Sequence, residues 1–270
     1  MIITFIGGGN MASAIIGGLL QRGWSRENLR VVEILAAARD KLEQAFQIKT
    51  WATASPQALQ ADCVVLAIKP QQMRETAAQL APLVKNTLVI SIAAGIRASD
   101  LARWLGGITR IVRVMPNTPA LVLAGISGLY AAPGVSDEDR QRAESILGEV
   151  GETVWVKHED DIDAVTAVSG SGPAYVFYFI EALEQAARDL GLSPDAARRL
   201  ATATFTGAAK LAAQSSEDAA TLRARVTSKG GTTERALAAM ETDKIKAAIV
   251  RAVKAAAERS REMGDELNRD

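Results

Sequence analysis

The stretch MIITFIGGGNMASAIIGGLLQ, residues 1–21, decides the fold that we expect for this chain. Its apolar residues 2–6 predict a short buried strand. Three glycines follow at positions 7–9, and from Asn10 onward the apolar residues recur at helical spacing. A strand, a glycine turn and a helix in this order are the context that a dinucleotide-binding turn requires. The spacing here is Gly-x-Gly-x-x-Ala, which ends at Ala12.

The physics of that turn favours cofactor binding over a purely structural bend. Gly7 permits the tight turn, and Gly9 has no side chain to keep a pyrophosphate away from the backbone. Ala12 is small enough for the helix to lie close to the strand. The start of the helix then offers unpaired N–H groups and the positive end of its dipole to phosphates.

The bulk properties exclude several classes of function. The 270 residues include 31 Lys plus Arg and 31 Asp plus Glu, so the net charge of zero does not indicate nucleic acid or an anionic membrane as a partner. A single cysteine, Cys63, excludes an internal disulfide framework, and a single histidine, His158, excludes a histidine metal cluster. The sequence has neither a signal-peptide pattern nor an apolar run of membrane-spanning length. We therefore expect a cytoplasmic protein that uses no metal.

Residues 1–158 alternate apolar strands with helical stretches, which predicts a parallel, doubly wound α/β sheet. Residues 159–270 lose the strand signals, become rich in alanine and predict an all-helical second domain. The predicted strands cover residues 2–6, 29–34, 63–68, 87–93, 109–115, 126–131 and 153–156. The predicted helices cover residues 10–20, 36–46, 71–84, 98–105, 136–150, 172–191 and 217–225, and three more begin near residue 193, within residues 227–234 and near residue 243.

Residues at the carboxyl ends of the predicted strands are candidates for cofactor contacts, because ligands of open α/β sheets bind there. Glu33 ends the second strand, where an acid takes the ribose hydroxyls of NAD and repels the extra phosphate of NADP. Arg39, a turn or so later, is the alternative that would pair with that phosphate. Lys69 and Ala93 close the third and fourth strands, and Asn117, in a loop stiffened by two prolines, follows the fifth as a candidate partner of a carboxamide.

Two glycine- and hydroxyl-rich segments open helices in the second domain. SGSGPAY covers residues 169–175, and TSKGGTTE covers residues 227–234. Helix capping explains one hydroxyl per helix, but it does not explain the four hydroxyl residues around Gly230 and Gly231. The second segment therefore indicates a site for a carboxylate or another anion.

These residues together resemble the pyrroline-5-carboxylate reductase family over the whole length of the chain. The resemblance is carried by GGGNM at residues 7–11, AIKP at 67–70, AAG at 93–95, MPNTP at 115–119, SGSGPAY at 169–175 and TSKGGTTERAL at 227–237. The last segment is the most specific, because a dinucleotide-binding fold alone predicts nothing of the kind.

The resemblance implies NAD(P)H-dependent reduction of 1-pyrroline-5-carboxylate to L-proline, the last step of proline biosynthesis. It also implies a Rossmann-type N-terminal domain and a helical C-terminal domain that interlocks with that of a second subunit, in homodimers that often assemble into decamers. Cofactor contacts are expected at Gly7, Gly8, Gly9, Asn10, Met11, Glu33, Ala67, Ile68, Lys69, Pro70, Ala93 and Asn117. Substrate contacts are expected at Glu159, Ser228, Gly230, Gly231, Thr232 and Thr233. Thr233 is the candidate proton donor to the ring nitrogen, and Glu159 is expected near the same atom.

The chain departs from the family pattern at three positions. Lys229 stands where proline is more common. Arg225 stands where asparagine is common, so we expect no substrate contact there. Glu33 stands where relatives often have a small polar residue near the NADP phosphate, so NADPH, the family default, and NADH are both candidate cofactors.

Two other functions are alternatives to the reductase. One is a regulator that binds a dinucleotide without catalysis, although it would not need the hydroxyl-rich segment. The other is a 3-hydroxy acid dehydrogenase, which would use a lysine on a helix early in the second domain. The predicted helix that begins at Pro173 contains no lysine.

Overall fold

A computed structural model describes residues 1–267 and contains, within that range, one sheet of eight strands. The strands are β1 (Ile3–Ile6), β2 (Leu29–Val32), β3 (Lys49–Trp51), β4 (Cys63–Leu66), β5 (Leu88–Ser91), β6 (Ile111–Met115), β7 (Gly125–Ala131) and β8 (Gly151–Trp155). Their order is β3-β2-β1-β4-β5-β6-β7-β8, and neighbouring strands are parallel except β6 and β7. The order reverses around β1, which lies between β2 and β4. Such a switch point opens a ligand crevice at the carboxyl ends of the strands.

Helices cover both faces of the sheet, as the near-continuous apolar strands predict. Ile3 and Phe5 of β1 belong to one core cluster, together with Ile15 and Leu19 of the first helix. The next strand residue along, Ile6, belongs to a second cluster on the opposite face. The helices of this part are α1 (Asn10–Gln21), α2 (Ala36–Phe46), α3 (Met73–Leu80), α4 (Ala98–Trp104), α5 (Asp137–Leu147) and α6 (Asp161–Val165). The predicted doubly wound α/β class is confirmed.

The structure corrects the sequence prediction at two elements. β3 was not predicted, because its three residues contain no apolar run; it forms by pairing in parallel with β2 at the edge of the sheet. Helix α6 was not predicted either. It forms because the Asp161 carboxylate accepts the His158 N–H at 3.0 Å and because Ile162 is buried.

All the secondary structure described from residue 172 to residue 267 is helical, which confirms the predicted second class of structure. Two of its helices begin at side-chain caps: Ser193 accepts the Ala196 N–H at 3.3 Å, and Asp218 accepts the Thr221 N–H at 2.7 Å. The helices are α7 (Gly172–Asp189), α8 (Pro194–Gln214), α9 (Ala219–Arg225), α10 (Thr232–Thr242) and α11 (Ile245–Leu267). Within residues 1–267, none of the helices combines the length and the apolar character that a membrane span requires.

The chain packs as two compact units. The first comprises Met1–Ser171 and the end of α11 from Ala256 onward; the second comprises Gly172–Ala255. These limits come from packing, whereas the predicted domain boundary after His158 comes from the loss of strand patterns and the rise in alanine content. That boundary, between domains 1–158 and 159–270, stays a prediction.

Candidate functional site

Each of the three glycines in the turn after β1 has different surroundings at the position that a Cβ would occupy. Gly7 has a φ of +95°, and a Cβ there would lie 2.6 Å from the carbonyl oxygen of Ala67. A Cβ on Gly8 would lie 2.4 Å from the Leu42 side chain. Gly9, which precedes the first residue of α1, has no atom within 4 Å of its ideal Cβ position. The open backbone at Gly9 is the cradle that a pyrophosphate requires.

No side chain caps the start of α1, so its first N–H groups keep their capacity to bind an anion. Asn10 is exposed and Met11 is half-buried at this end of the helix. Ala12 is fully buried. Its small size lets the helix pack closely on the sheet. The residues of the turn therefore fit a dinucleotide phosphate.

Glu33 lies beside this turn, directly after β2. Its Oε2 accepts the Gly8 N–H at 2.9 Å, and its Oε1 accepts the Leu35 N–H at 2.9 Å. These two bonds fix the carboxylate at the carboxyl end of β2. Arg39 donates from Nη1 to the carbonyl oxygens of Glu33 at 2.8 Å and Ile34 at 3.0 Å. The Arg39 guanidinium is therefore bound to the backbone rather than to the Glu33 carboxylate.

A cleft of about 470 Å³ lies at the carboxyl ends of β1, β2, β3 and β4, between the glycine turn and Glu33. Glu33 and two exposed apolar residues, Ile34 (70% exposed) and Leu35 (63% exposed), line it on the β2 side. The α3 side is formed by Gln72, Thr76, Gln79 and Leu80. Of the predicted cofactor residues, the cleft is lined by Gly7, Gly9, Glu33, Ala67, Ile68 and Lys69. The structure thus brings together predicted residues that are up to 62 positions apart in sequence, from Gly7 to Lys69.

The other predicted cofactor residues lie next to the cleft in sequence or follow β5 and β6. Pro70 starts the short turn before α3. Ala93, two residues after β5, is buried. Asn117 is also buried, and its Oδ1 accepts the Ile126 N–H at 2.9 Å, which ties the loop after β6 to β7. Its carboxamide is therefore already used within the fold, in part, and its predicted cofactor contact stays a prediction.

Glu159 has partners that the sequence did not suggest. Its Oε1 accepts the Arg113 Nη1–H at 2.8 Å and the backbone N–H of Ala98, the first residue of α4, at 2.6 Å. Arg113 lies in β6 and is only 5% exposed. The signal that could have found it is a lone arginine inside the apolar strand IVRVM, because a buried charge requires a partner. The predicted contact of Glu159 with substrate is not tested by these bonds.

The hydroxyl-rich segment lies in the second unit, at the start of α10. The residue before this helix is Gly231, so no side chain caps it. Gly230, with a φ of +72°, donates its N–H to the Glu234 Oε2 at 2.7 Å. Thr227 donates its hydroxyl to the Arg223 carbonyl at 2.6 Å. Among residues 1–267, the hydroxyls of Ser228, Thr232 and Thr233 have no hydrogen-bond partner.

Two further residues that the sequence analysis weighed have structural roles. Arg225 pairs with Glu217 at 2.6 Å. Cys63 is fully buried in β4, and this burial raises the pKa of its thiol. Within the described range, no group of three or more His, Cys, Asp or Glu side chains is placed to hold a metal ion.

Comparisons with known proteins match nearly the whole chain. A family model described as pyrroline-5-carboxylate reductase dimerisation matches residues 159–263, and one described as coenzyme F420-dependent NADP oxidoreductase matches residues 2–95. The pyrroline-5-carboxylate reductase of Pseudomonas aeruginosa is 44% identical over 266 residues, which cover 98% of this chain and 97% of that protein.

Solved structures give the same result. The pyrroline-5-carboxylate reductase of Coxiella burnetii is 41% identical, with a TM-score of 0.91 and coverage of 97% of both chains. The Plasmodium falciparum pyrroline carboxylate reductase with NADP bound is 30% identical, with a TM-score of 0.87 and coverage of 98% of both chains.

Proposed function

The chain belongs to the pyrroline-5-carboxylate reductase family, and we propose that it reduces 1-pyrroline-5-carboxylate to L-proline with a reduced nicotinamide dinucleotide. The observation that carries this proposal is the full-length identity of 44% to a reductase of that name. Two features of the chain agree with it. One is the cleft at the glycine turn, and the other is the hydroxyl-rich start of α10.

The protein's task in this reaction is to bind, orient and supply a proton. The reduced nicotinamide supplies the hydride when it is bound. We assign the dinucleotide to the cleft, with its phosphates at Gly9 and the open N–H groups of α1. Lys69 is the basic side chain of the cleft wall and belongs to the loop after β4, where it can neutralise the pyrophosphate.

We assign the substrate carboxylate to residues 228–233. The hydroxyls of Ser228 and Thr232 and the N–H groups at the start of α10 are the donors that suit it. Glu234 already occupies the N–H of Gly230, so this N–H becomes available to the substrate only when the Glu234 carboxylate moves. The Thr233 hydroxyl is then the group that hydrogen-bonds the ring nitrogen. A proton there is necessary because a cationic imine accepts hydride far better than a neutral one.

We propose that the chain prefers NADH to NADPH. Glu33 presents a carboxylate at the end of β2, held there by the N–H groups of Gly8 and Leu35. Each oxygen keeps lone pairs that can accept a ribose hydroxyl, whereas a 2′-phosphate would meet the negative charge. Ile34 and Leu35 offer no positive charge, and Nη1 of Arg39 is held by two carbonyl oxygens, so the remaining charge of Arg39 has to outweigh the nearer Glu33 carboxylate before a 2′-phosphate is favoured.

The second unit supports assembly with another copy of the chain. It belongs to the part that the dimerisation model matches. Large apolar side chains such as Phe177 and Leu190 are exposed on it. We propose a homodimer in which these side chains are covered. A decamer of such dimers is the larger assembly that the family resemblance implies.

The reaction is tested by following the oxidation of NADH and NADPH with pyrroline-5-carboxylate and by identifying proline as the product. We expect turnover with both, with kcat/KM at least about tenfold higher for NADH, equivalent to about 1.4 kcal/mol. Glu33→Ser should shift the ratio towards NADPH, and Glu27→Ser, an exposed acid before β2, is the matched control. A wild-type preference for NADPH would contradict the role of Glu33. Dinucleotide binding without turnover would favour the regulator.

The proton donor is tested by Thr233→Ala. Loss of a general acid costs about 10²- to 10⁴-fold, so we expect kcat/KM to fall by at least about 10²-fold, with partial recovery in Thr233→Ser. The matched control is Thr242→Ala at the other end of α10, where the hydroxyl only donates to the Ala238 carbonyl. An unchanged kcat/KM for Thr233→Ala would remove Thr233 from the mechanism.

A further inference from the structure

β5 ends at Ser91 and α4 begins at Ala98, and the loop between them contains Ala93 and Ala94, followed directly by the segment of residues 95–98. Ala98, the last residue of this segment, donates its N–H to Oε1 of Glu159 at 2.6 Å. The same oxygen also accepts a hydrogen bond from the Arg113 guanidinium at 2.8 Å. Arg113 is buried, and its Nε has no hydrogen-bond partner among residues 1–267. Glu159 is therefore the group that both neutralises Arg113 and binds the backbone at the start of α4.

The C-terminal end of α11 holds the same segment from another side, within the same compact unit. Gly95 has a φ of +75°, and a Cβ there would lie 3.0 Å from the Leu267 side chain and 3.6 Å from the Gly264 nitrogen. Arg97 pairs with Asp265 of α11. The hydrogen bond raises the pKa of the Arg97 guanidinium.

The two supports are joined to each other. Asp163, four residues after Glu159, accepts the hydroxyl of Ser260 on α11 at 2.5 Å. Ser260 and Gly264 are both buried at this contact. One network of hydrogen bonds therefore surrounds the loop after β5. It links the segment 95–98, residues 159–163 and the end of α11.

We propose that Glu159 is a positioning residue for the cofactor loop at residues 93–95, and that the end of α11 is its second support. Resting on the proposed function, the inference assigns Glu159 to the geometry of the dinucleotide site, through Ala98 and Arg113. The alternative is a direct contact of Glu159 with the substrate ring. The second oxygen, Oε2, has no hydrogen-bond partner in the described part of the chain, so the test has to separate the two roles.

The two roles predict different kinetic changes in Glu159→Gln. A positioning role predicts that the Kd of NADH, from direct fluorescence titration, rises about tenfold, while the KM for pyrroline-5-carboxylate at saturating dinucleotide changes less than about twofold. The pH profile of kcat should keep its shape. A substrate contact predicts the opposite result, in which the KM for pyrroline-5-carboxylate rises and the Kd of NADH stays nearly unchanged. A folded Glu159→Gln protein with the wild-type Kd for NADH would overturn the proposal.

A double variant sharpens the test. Glu159→Gln leaves the Arg113 guanidinium buried without a counter-charge, whereas Arg113→Met in the same protein removes that charge. The positioning role predicts that Arg113→Met recovers part of the lost dinucleotide affinity, and absence of any recovery would contradict it. The matched control is Glu138→Gln, whose ion pair with Arg142 is exposed on α5. Its Kd should stay at the wild-type value.

Asp265→Asn keeps the proposal testable if Glu159→Gln does not fold, because Asp265 is exposed. We expect its Kd for NADH to rise about two- to threefold, and an unchanged Kd would overturn the role of α11. Dinucleotide titration requires no imine. Its outcome therefore stands even if the protein does not reduce pyrroline-5-carboxylate, which would be a failure of the proposed function alone.

Discussion

The two compact units of this chain differ in where their apolar side chains lie. In the first unit, the sheet buries residues on both faces, and Phe5 and Leu66 are fully buried. In the second unit, only Ala197 and Ala201 are buried among residues 172–255, and Tyr178 and Leu190 are 72% and 84% exposed. Similar apolar patterns in sequence therefore lead to a core in one unit and to an exposed surface in the other.

This difference shows that the second unit leaves large apolar side chains uncovered by its own chain. Isolated helices are marginal in water, and most of their stability comes from packing an apolar face. Helices α7, α9 and α10 bury no residue within the described chain. The proposed homodimer would supply a further surface on which these helices could bury their apolar side chains.

The strongest test of this contrast replaces one phenylalanine by alanine in each unit. Phe5→Ala should lower the free energy of unfolding by about 3–5 kcal/mol at every protein concentration, because it leaves a cavity in a closed core. Phe177→Ala, at a residue 65% exposed within the chain, should instead weaken self-association at least about tenfold and make the melting temperature more dependent on concentration. Sedimentation measures self-association, and thermal melts at several protein concentrations measure stability. An unchanged association constant in Phe177→Ala would break the comparison.

A pair of glycines with positive φ tests the same contrast at the backbone. Gly7→Ala adds backbone strain and a clash with the Ala67 carbonyl, so we expect a loss of about 2–5 kcal/mol in the free energy of unfolding. Gly230→Ala adds the strain alone, because no atom lies within 4 Å of its ideal Cβ position, and should cost about 1–2 kcal/mol. Urea denaturation compares the two. Equal losses would mean that a partner surface crowds Gly230.

Acid unfolding compares a buried with an exposed aspartate. The Arg110 guanidinium holds the pKa of the Asp139 carboxyl below its usual value of 3.8, and in Asp218 the Thr221 N–H has the same effect. A lowered folded pKa stabilises the protein above about pH 4, and this stabilisation is lost as the pH falls through the folded pKa.

Asp139→Asn should therefore flatten the acid limb of the stability curve. It should also cost about 1–2 kcal/mol at pH 7, a modest figure because Arg110 is 35% exposed. Asp218→Asn should lower stability at pH 7 less than Asp139→Asn does, since Asp218 is exposed and asparagine accepts the same cap hydrogen bond. Unfolding followed from pH 2 to 7 measures both variants. An acid limb in Asp139→Asn as steep as in the wild type would rule out this role for the ion pair.

The smallest expected effects come from two serine caps with matched geometry. Ser136 accepts the Asp139 N–H at 3.2 Å at the start of α5, and Ser193 accepts the Ala196 N–H at 3.3 Å at the start of α8. Replacing either by alanine should cost about 1 kcal/mol. Only Ser193→Ala should shift the concentration-dependent transition. Identical shifts in both variants would mean that the two units unfold as one.

Much of the candidate site could be predicted because its signals are local. The glycines at positions 7–9 and the acid at Glu33 are recognised by their place after apolar strands, and the structure puts Gly7, Gly9 and Glu33 in one cleft. The hydroxyls around Gly230 stand out because helix capping cannot use them all. The occupation of the Gly230 N–H by Glu234 was not predicted, because it depends on the path of the turn before α10.

The sequence by itself determined the α/β class, the glycine turn and the helical C-terminal part, since apolar periodicity and backbone freedom are properties of neighbouring residues. Tertiary structure alone decided the pairing of β3, the bond of Glu33 to the Gly8 N–H, and the bonds of Glu159 to Ala98 and Arg113. The Glu159 partners lie 61 and 46 positions away. Such partners depend on strand order and on which buried charge needs neutralising, and neither is encoded in a local pattern.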